Sequence, residues 1–255
     1  MEDLDDSAKA SLGHSSGALA RSALRSATRR NKHGASASVL IYNGATPLEV
    51  RLEEDEEDID LTEYLLQGSV LDSSKDVLIH RLRGLADNVD EQVETFQDRE
   101  RVLTLGPVSG QTLTLYVRQA MDVRPGMDQS DTPWTMRYIG QPELGDKSRP
   151  TVLRNSIDVG CTPNVLEFLS EMGFKQDYEF MCKGLMFRKG RMKILVYKVY
   201  KNKTADNWEP LSMSHVVELS VLAPQGHDAV AEDVRNFAEQ LKPLVQLEKT
   251  DYRRL

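Results

Sequence analysis

Cysteine is scarce: Cys161 and Cys182 are the two in 255 residues. They cannot supply a disulfide framework, and with no CxxC pair and no apolar signal segment the chain reads as intracellular and reduced. Long hydrophobic runs are missing too. An uncharged stretch such as Val102–Val117 is too short, and too interrupted by Gly106-Pro107 and Ser109-Gly110, to span a bilayer as a helix. The five histidines are scattered, without HExxH and without a Cys/His set at zinc spacing, so no metal site is signalled. Neither a phosphate loop of the form GxxxxGK[ST] nor a GxGxxG fingerprint occurs. Bases are outnumbered, 32 against 40 acids for a formal charge of −8, which excludes nucleic-acid binding by bulk charge.

What remains is an ordinary globular composition, 40% hydrophobic and 28% charged, long enough for one large domain or two small ones. The organisation is uneven along the chain. Between Ser7 and Val50 the sequence is rich in Ser, Ala and Gly, carries six bases against one acid, Glu49, and lacks a sustained apolar period. The block Glu53-Glu54-Asp55-Glu56-Glu57-Asp58 then repels itself. Residues 1–58 are therefore expected to be a disordered tail, and 59–255 a single domain. Motif matches in or beside the tail carry little. Gly13-His14-Ser15-Ser16-Gly17 has the form of a hydrolase elbow without the strand and helix that such an elbow requires. Arg29-Arg30-Asn31-Lys32 is a short basic patch of a kind common in tails.

From Leu61 onward, period-two alternation of β-branched and aromatic residues dominates. Eight strands are expected at Glu63–Leu71, Asp98–Leu105, Gln111–Arg118, Pro133–Ile139, Thr151–Val159, Tyr178–Arg188, Met192–Tyr200 and His215–Leu222. Eight suffice to close an antiparallel barrel, which removes exposed edges. Lys189-Gly190 marks the clearest hairpin. Three helices flank the strands. The first, about Ser74 to Leu85, has Asp72-Ser73 as capping candidates and a stripe of Leu78, Leu82 and Leu85. The second has Thr162 as N-cap, Pro163 at its first position and Gly173 past its end, and should bury Leu166, Leu169 and Met172. The third, about Asp228 to Lys242, repeats Val230, Val234, Phe237 and Leu241 before Pro243. The fold class is thus α+β, mainly β: a barrel of about eight or more strands with about three helices.

Strand faces raise the functional question. Met192–Tyr200 is apolar on both sides, Met192, Ile194 and Val196 on one and Leu195, Tyr197 and Val199 on the other, so a helix or a partner protein is expected to cover it. Polar faces such as Thr112, Thr114, Tyr116, Arg118 and Arg154, Ser156, Asp158 are either solvated or line a wet tunnel. The best enzymatic candidate is the carboxylate pair Asp177 and Glu179, on one strand face, with Glu218 across the barrel and a basic wall of Arg118, Arg137 and Arg154.

A broader pattern points elsewhere. The run Glu63-Tyr64-Leu65-Leu66-Gln67-Gly68-Ser69-Val70-Leu71-Asp72, followed by His80-Arg81-Leu82-Arg83-Gly84-Leu85, resembles the Mediator complex subunit 18 family. So do Arg137-Tyr138-Ile139-Gly140-Gln141-Pro142-Glu143-Leu144-Gly145-Asp146-Lys147, Glu171-Met172-Gly173-Phe174, Phe187-Arg188-Lys189-Gly190 and Asn236-Phe237-Ala238-Glu239-Gln240-Leu241. These matches fall in order over roughly three quarters of the chain, from about Asp60 onward. The resemblance implies a nuclear, non-enzymatic structural and docking subunit of the head module of Mediator, the coactivator acting with RNA polymerase II, without cofactor, catalytic residue or metal. It further implies an antiparallel barrel, a heterodimer with Mediator subunit 20, and a tether to the carboxy-terminal helix of Mediator subunit 8. Contact residues are expected at Tyr64, Leu66, Tyr138, Gln141, Pro142, Leu195 and Tyr197. The barrel also looks like that of tunnel-type triphosphatases, but Asp177-Tyr178-Glu179 is followed at the next alternate position by Met181, where their pattern places a charge. That activity is the alternative reading.

Overall fold

The computed structural model describes residues 38–43, 46–51, 61–87, 92–108, 111–122, 132–143, 149–204, 207–224, 226 and 228–250. Two short strands, β1 (Ser38–Asn43) and β2 (Thr46–Arg51), pair with each other in a sheet of their own. They are the described part of the segment expected to be a disordered tail; the rest of 1–58 lies outside the described residues.

The remaining strands are β3 (Leu61–Leu71), β4 (Glu94–Val108), β5 (Gln111–Ala120), β6 (Trp134–Ile139), β7 (Val152–Cys161), β8 (Lys175–Lys189), β9 (Met192–Thr204), β10 (Asn207–Pro210) and β11 (Ser214–Pro224). Eight of them run β9-β11-β3-β7-β6-β5-β4-β8, and β8 pairs back onto β9, so the antiparallel sheet closes into a barrel. Short β10 hangs from the end of β9 as an extra strand. All eight barrel strands are those expected from alternation. Between β8 and β9 the pairing of Lys189 with Met192 leaves Gly190 and Arg191 as a two-residue turn, and Gly190 takes φ 54°, a conformation that L side chains resist.

Register decides which residues face inward. On β3, β5, β6, β7, β9 and β11 the apolar alternates that form the two core clusters point outward, towards the helices that cover them. Helices α1 (Lys75–Leu85) and α3 (Asp228–Gln240) bury Leu78, Leu82, Val234 and Phe237 in one cluster with Tyr64 and Leu66 of β3, Ile194 and Val196 of β9, and Val217 and Leu219 of β11. At about 1.5–3 kcal/mol per fully buried large aliphatic side chain, this face dominates the stability of the domain. Helix α2 (Val165–Glu171) closes a second cluster over Leu103, Leu115, Val117, Trp134, Met136 and Tyr138.

The end signals of α2 are partly different from those expected. Gly173 does end the turn, at φ 94°. Asn164, not Thr162, is the residue before the helix, and the Thr162 hydroxyl bonds the Asn164 side chain instead of a backbone N–H. Val165 and Leu169 are buried, whereas Met172 stays 38% exposed because it falls beyond the last helical turn. Asp72 likewise does not cap α1; its carboxylate is taken by Lys198 and lies 2.9 Å from His215.

Candidate functional site: the charged barrel interior

Because the outward alternates form the apolar clusters, the inward alternates leave a lumen rich in charge. β3 contributes Glu63 and Gln67, β4 Asp98 and Glu100, β5 Tyr116 and Arg118, β6 Arg137, β7 Arg154 and Asp158, β8 Cys182, β9 Lys193 and β11 Glu218. The basic wall of Arg118, Arg137 and Arg154 is therefore real, and the polar faces of β5 and β7 do line an interior.

Each arginine of that wall meets its own carboxylate. Arg154 Nε donates to Glu63 Oε2 at 2.6 Å, with both side chains buried. Arg137 grips Asp158 with two bonds of 2.6 and 2.7 Å, the fork geometry that favours Arg over Lys. Arg118 bonds Glu100 at 2.8–3.0 Å, and its Nε lies 3.5 Å from Asp98. Gln67 donates to Glu218 at 2.8 Å.

The field inside follows from this pairing. Burial opposes the Arg137 charge, but Asp158, with Glu63 and Glu218 behind it, outweighs burial and holds the guanidinium above its ordinary value. Glu100 does the same for Arg118. Asp98 receives no such compensation: burial pushes its carboxyl up to about 6, Arg118 offsets only part of this, and neighbouring Glu100 adds to it. Burial and the Arg137 charge lower Lys193, against the pull of Glu218 and Glu63. Burial raises the Cys182 thiol, with Glu100 adding repulsion, so this sulfur is protonated and inert.

The proposed carboxylate trio is not assembled. Glu218 is buried in the lumen, but Glu179 points out of the barrel, where Arg99 holds it with bonds of 2.8–3.0 Å and Asn202 with one of 2.8 Å. The guanidinium of Arg99 in turn lies over Trp208, and Arg101 over Trp134, at 5.6 and 5.4 Å. Asp177 is exposed and sits at a register break, where Tyr178 pairs with Val102 and Gln176 with Leu103. Among the described residues no three His, Cys, Asp or Glu side chains converge as metal ligands. Asp158, on a face the sequence allowed to line a tunnel, does line the lumen with Glu218; Glu63, Asp98 and Glu100 line it too and were not singled out, although the two-residue spacing of Asp98 and Glu100 places them on one face.

The contact candidates divide by burial. Tyr64 and Leu66, 1% and 3% exposed, belong to the helix-covered core, and Tyr138 is buried under α2. Leu195 and Tyr197 face the lumen, the latter against Phe96 with ring centroids 6.1 Å apart. Gln141 is exposed and Pro142 half-buried. Strand β9 is covered on both sides within the chain itself, by α1 and α3 outside and by the opposite wall inside, so its double apolar pattern is no sign of an external partner.

The chain is similar to proteins of known assembly. A family model described as Med18 protein matches residues 108–255. "Mediator of RNA polymerase II transcription subunit 18" of Aedes aegypti is 56% identical over 194 residues, covering 75% of this chain and 86% of its own. The Danio rerio protein of that name is 52% identical over 200 residues, covering 77% and 92%. Among solved structures, a chain of the Schizosaccharomyces pombe Mediator head module shares the fold with a TM-score of 0.61 at 16% identity, over 74% of this chain and 98% of that one.

Proposed function

Since the chain belongs to the Med18 family, we propose that it is a structural and docking subunit of Mediator, working in the nucleus within the head module and carrying no catalytic activity of its own. The observation that supports this most is the kinship itself: more than half of the aligned residues are identical over about three quarters of the chain. The interior agrees with it. Each arginine of the basic wall is neutralised by a carboxylate, so no row of free cations waits for a polyphosphate, and the acids once considered with Glu218 lie outside the lumen. A lumen closed upon itself in ion pairs is a frame that holds the outer faces in place.

Among possible neighbours, Mediator subunit 20 and the carboxy-terminal helix of subunit 8 are the partners we propose, with exposed Gln141 and half-buried Pro142 as contacts. Coexpression of the full chain with each, followed by calorimetry, should give association with a negative heat-capacity change from buried apolar area. A barrel that stays folded by circular dichroism but copurifies with neither would refute these partners. Incubation with a nucleoside triphosphate and Mg²⁺ or Mn²⁺ should release no phosphate above a buffer blank. Release lost on Glu218→Gln would restore the phosphohydrolase reading.

A further inference from the structure

The barrel is held unevenly around its circumference. β4 meets β8 from Glu94 to Thr104, and β8 meets β9 from Phe180 to Lys189. β3 meets β7, among the described residues, from Thr62 to Leu65, the shortest joint of the barrel. The two apolar clusters part along the same line. On one side α1 and α3 pack on β3, β9 and β11; on the other α2 packs on β4, β5 and β6. Strand β7 is split between them, with Leu153 in the first cluster and Ile157, Val159 and Cys161 against the second. The joint of β8 with β9 is built differently: Phe187 and Ile194 pair across it inside the first cluster, and Gly190-Arg191 ties the two strands covalently.

The bridges across the β3–β7 seam are few. On the lumen side Arg154 Nε donates to Glu63 Oε2 at 2.6 Å. Desolvation offsets much of the attraction in such a pair, and opening returns the hydration of both charges, so the pair adds little to closure. Leu65 against Val152 and Tyr64 against Leu153 supply the apolar remainder. Beyond the end of the seam, Lys249 Nζ reaches from the strap to the Arg149 carbonyl at 2.6 Å. We propose that the barrel is a clasp, opening at the β3–β7 seam while its two helix-clad halves turn about the β8–β9 joint, in a rare native-state motion that stops well short of global unfolding. Such a motion changes the angle between the face clad by α1 and α3 and the face clad by α2. The inference does not rest on the subunit reading above.

Cys182 reports the motion, because it faces the lumen from β8 and is 5% exposed. In the full chain carrying Cys161→Ser, labelling of Cys182 by N-ethylmaleimide, followed by mass spectrometry, should run at least about ten-fold faster than global unfolding permits. Its rate should depend weakly on urea, the mark of an opening that exposes little surface. Adding Thr62→Cys and Asn155→Cys, which stand opposite each other across the seam, supplies a disulfide lock. The oxidised form should label Cys182 at least about ten-fold more slowly than the reduced form of the same variant, which controls for the substitutions themselves. Hydrogen exchange of the unsubstituted chain gives a second reading that needs no variant. Amides joining Thr62–Leu65 to Val152–Asn155 should exchange through an opening less sensitive to urea than that of the β4–β8 ladder. Labelling that tracks global unfolding, indifference of Cys182 to the lock, or seam amides with the urea dependence of β4 and β8 overturns the proposal.

Discussion

Residue by residue, the lumen is where changes should be felt most sharply. Glu63 and Arg154 form a pair that is 3% and 7% exposed, so removing one partner strands a buried charge. Arg154→Met should cost about 3–5 kcal/mol in urea unfolding, and the double variant with Glu63→Gln should recover a good part of it. Full loss in the double variant would show that the two residues act through packing and not through their charge. Asp98 gives the opposite case. Its folded value of about 6 stands above the ordinary 3.8, so the folded barrel holds a proton that the unfolded chain has released. Stability from this group is fully present below about pH 4 and is lost as pH rises to about 6. Asp98→Asn, which stays neutral, should therefore be neutral near pH 4 and stabilise by about 1–2 kcal/mol at pH 7.5. An equal effect at both pH values would remove burial of the charge as the cause.

At the level of elements, the carboxy-terminal strap has a requirement set by one glycine. Residues 245–248 cross the outer face of β3, where Gln67 and Glu248 exchange backbone bonds of 3.0 and 2.8 Å and Val245 and Leu247 enter the core. A Cβ on Gly68 would sit 2.3 Å from the Gln246 carbonyl oxygen, a backbone atom with nowhere cheap to go. Gly68→Ala should lower stability by about 1–3 kcal/mol and speed hydrogen exchange at Glu248, whereas unchanged exchange there would mean the strap is not held at this point. The same scale shows what was legible in the chain. Period-two alternation placed all eight barrel strands, because most of them have a wall face of one polarity and a lumen face of the other, and β9, apolar on both faces, is marked by its β-branched and aromatic run. It said nothing about closure, which depends on β8 meeting β9 as well as β4. Nor did it say that the apolar face is the outer one. The assignment of Asp177 and Glu179 to one face failed for a local reason: the register break at Asp177 interrupts the alternation, and only pairing with β4 reveals it. The apolar reading of β9 was right about coverage on both sides, yet the covers are α1, α3 and the opposite wall. Tyr64 and Leu66 lie in the helix-covered core, and sequence cannot tell an apolar residue under a helix from one under a partner.

For the molecule as a whole, an apolar exterior clad in helices around an ion-paired interior makes a rigid frame whose useful surface is what the helices leave open. Of the amino-terminal segment, the described strands β1 and β2 pair with each other in a sheet of their own. We expect deletion of residues 1–58 to shift Tm by no more than about 2 °C, and a larger fall would show that the segment packs on the barrel. The central claim is that this frame acts by being built into the Mediator head. The most direct measurement is reconstitution of the full chain with the other head-module subunits, read by size-exclusion chromatography with light scattering. The chain should elute stoichiometrically with the module, at the summed mass, and remain in it through high salt. A barrel that is folded by circular dichroism and elutes alone, as a monomer, beside an otherwise intact module would contradict the account.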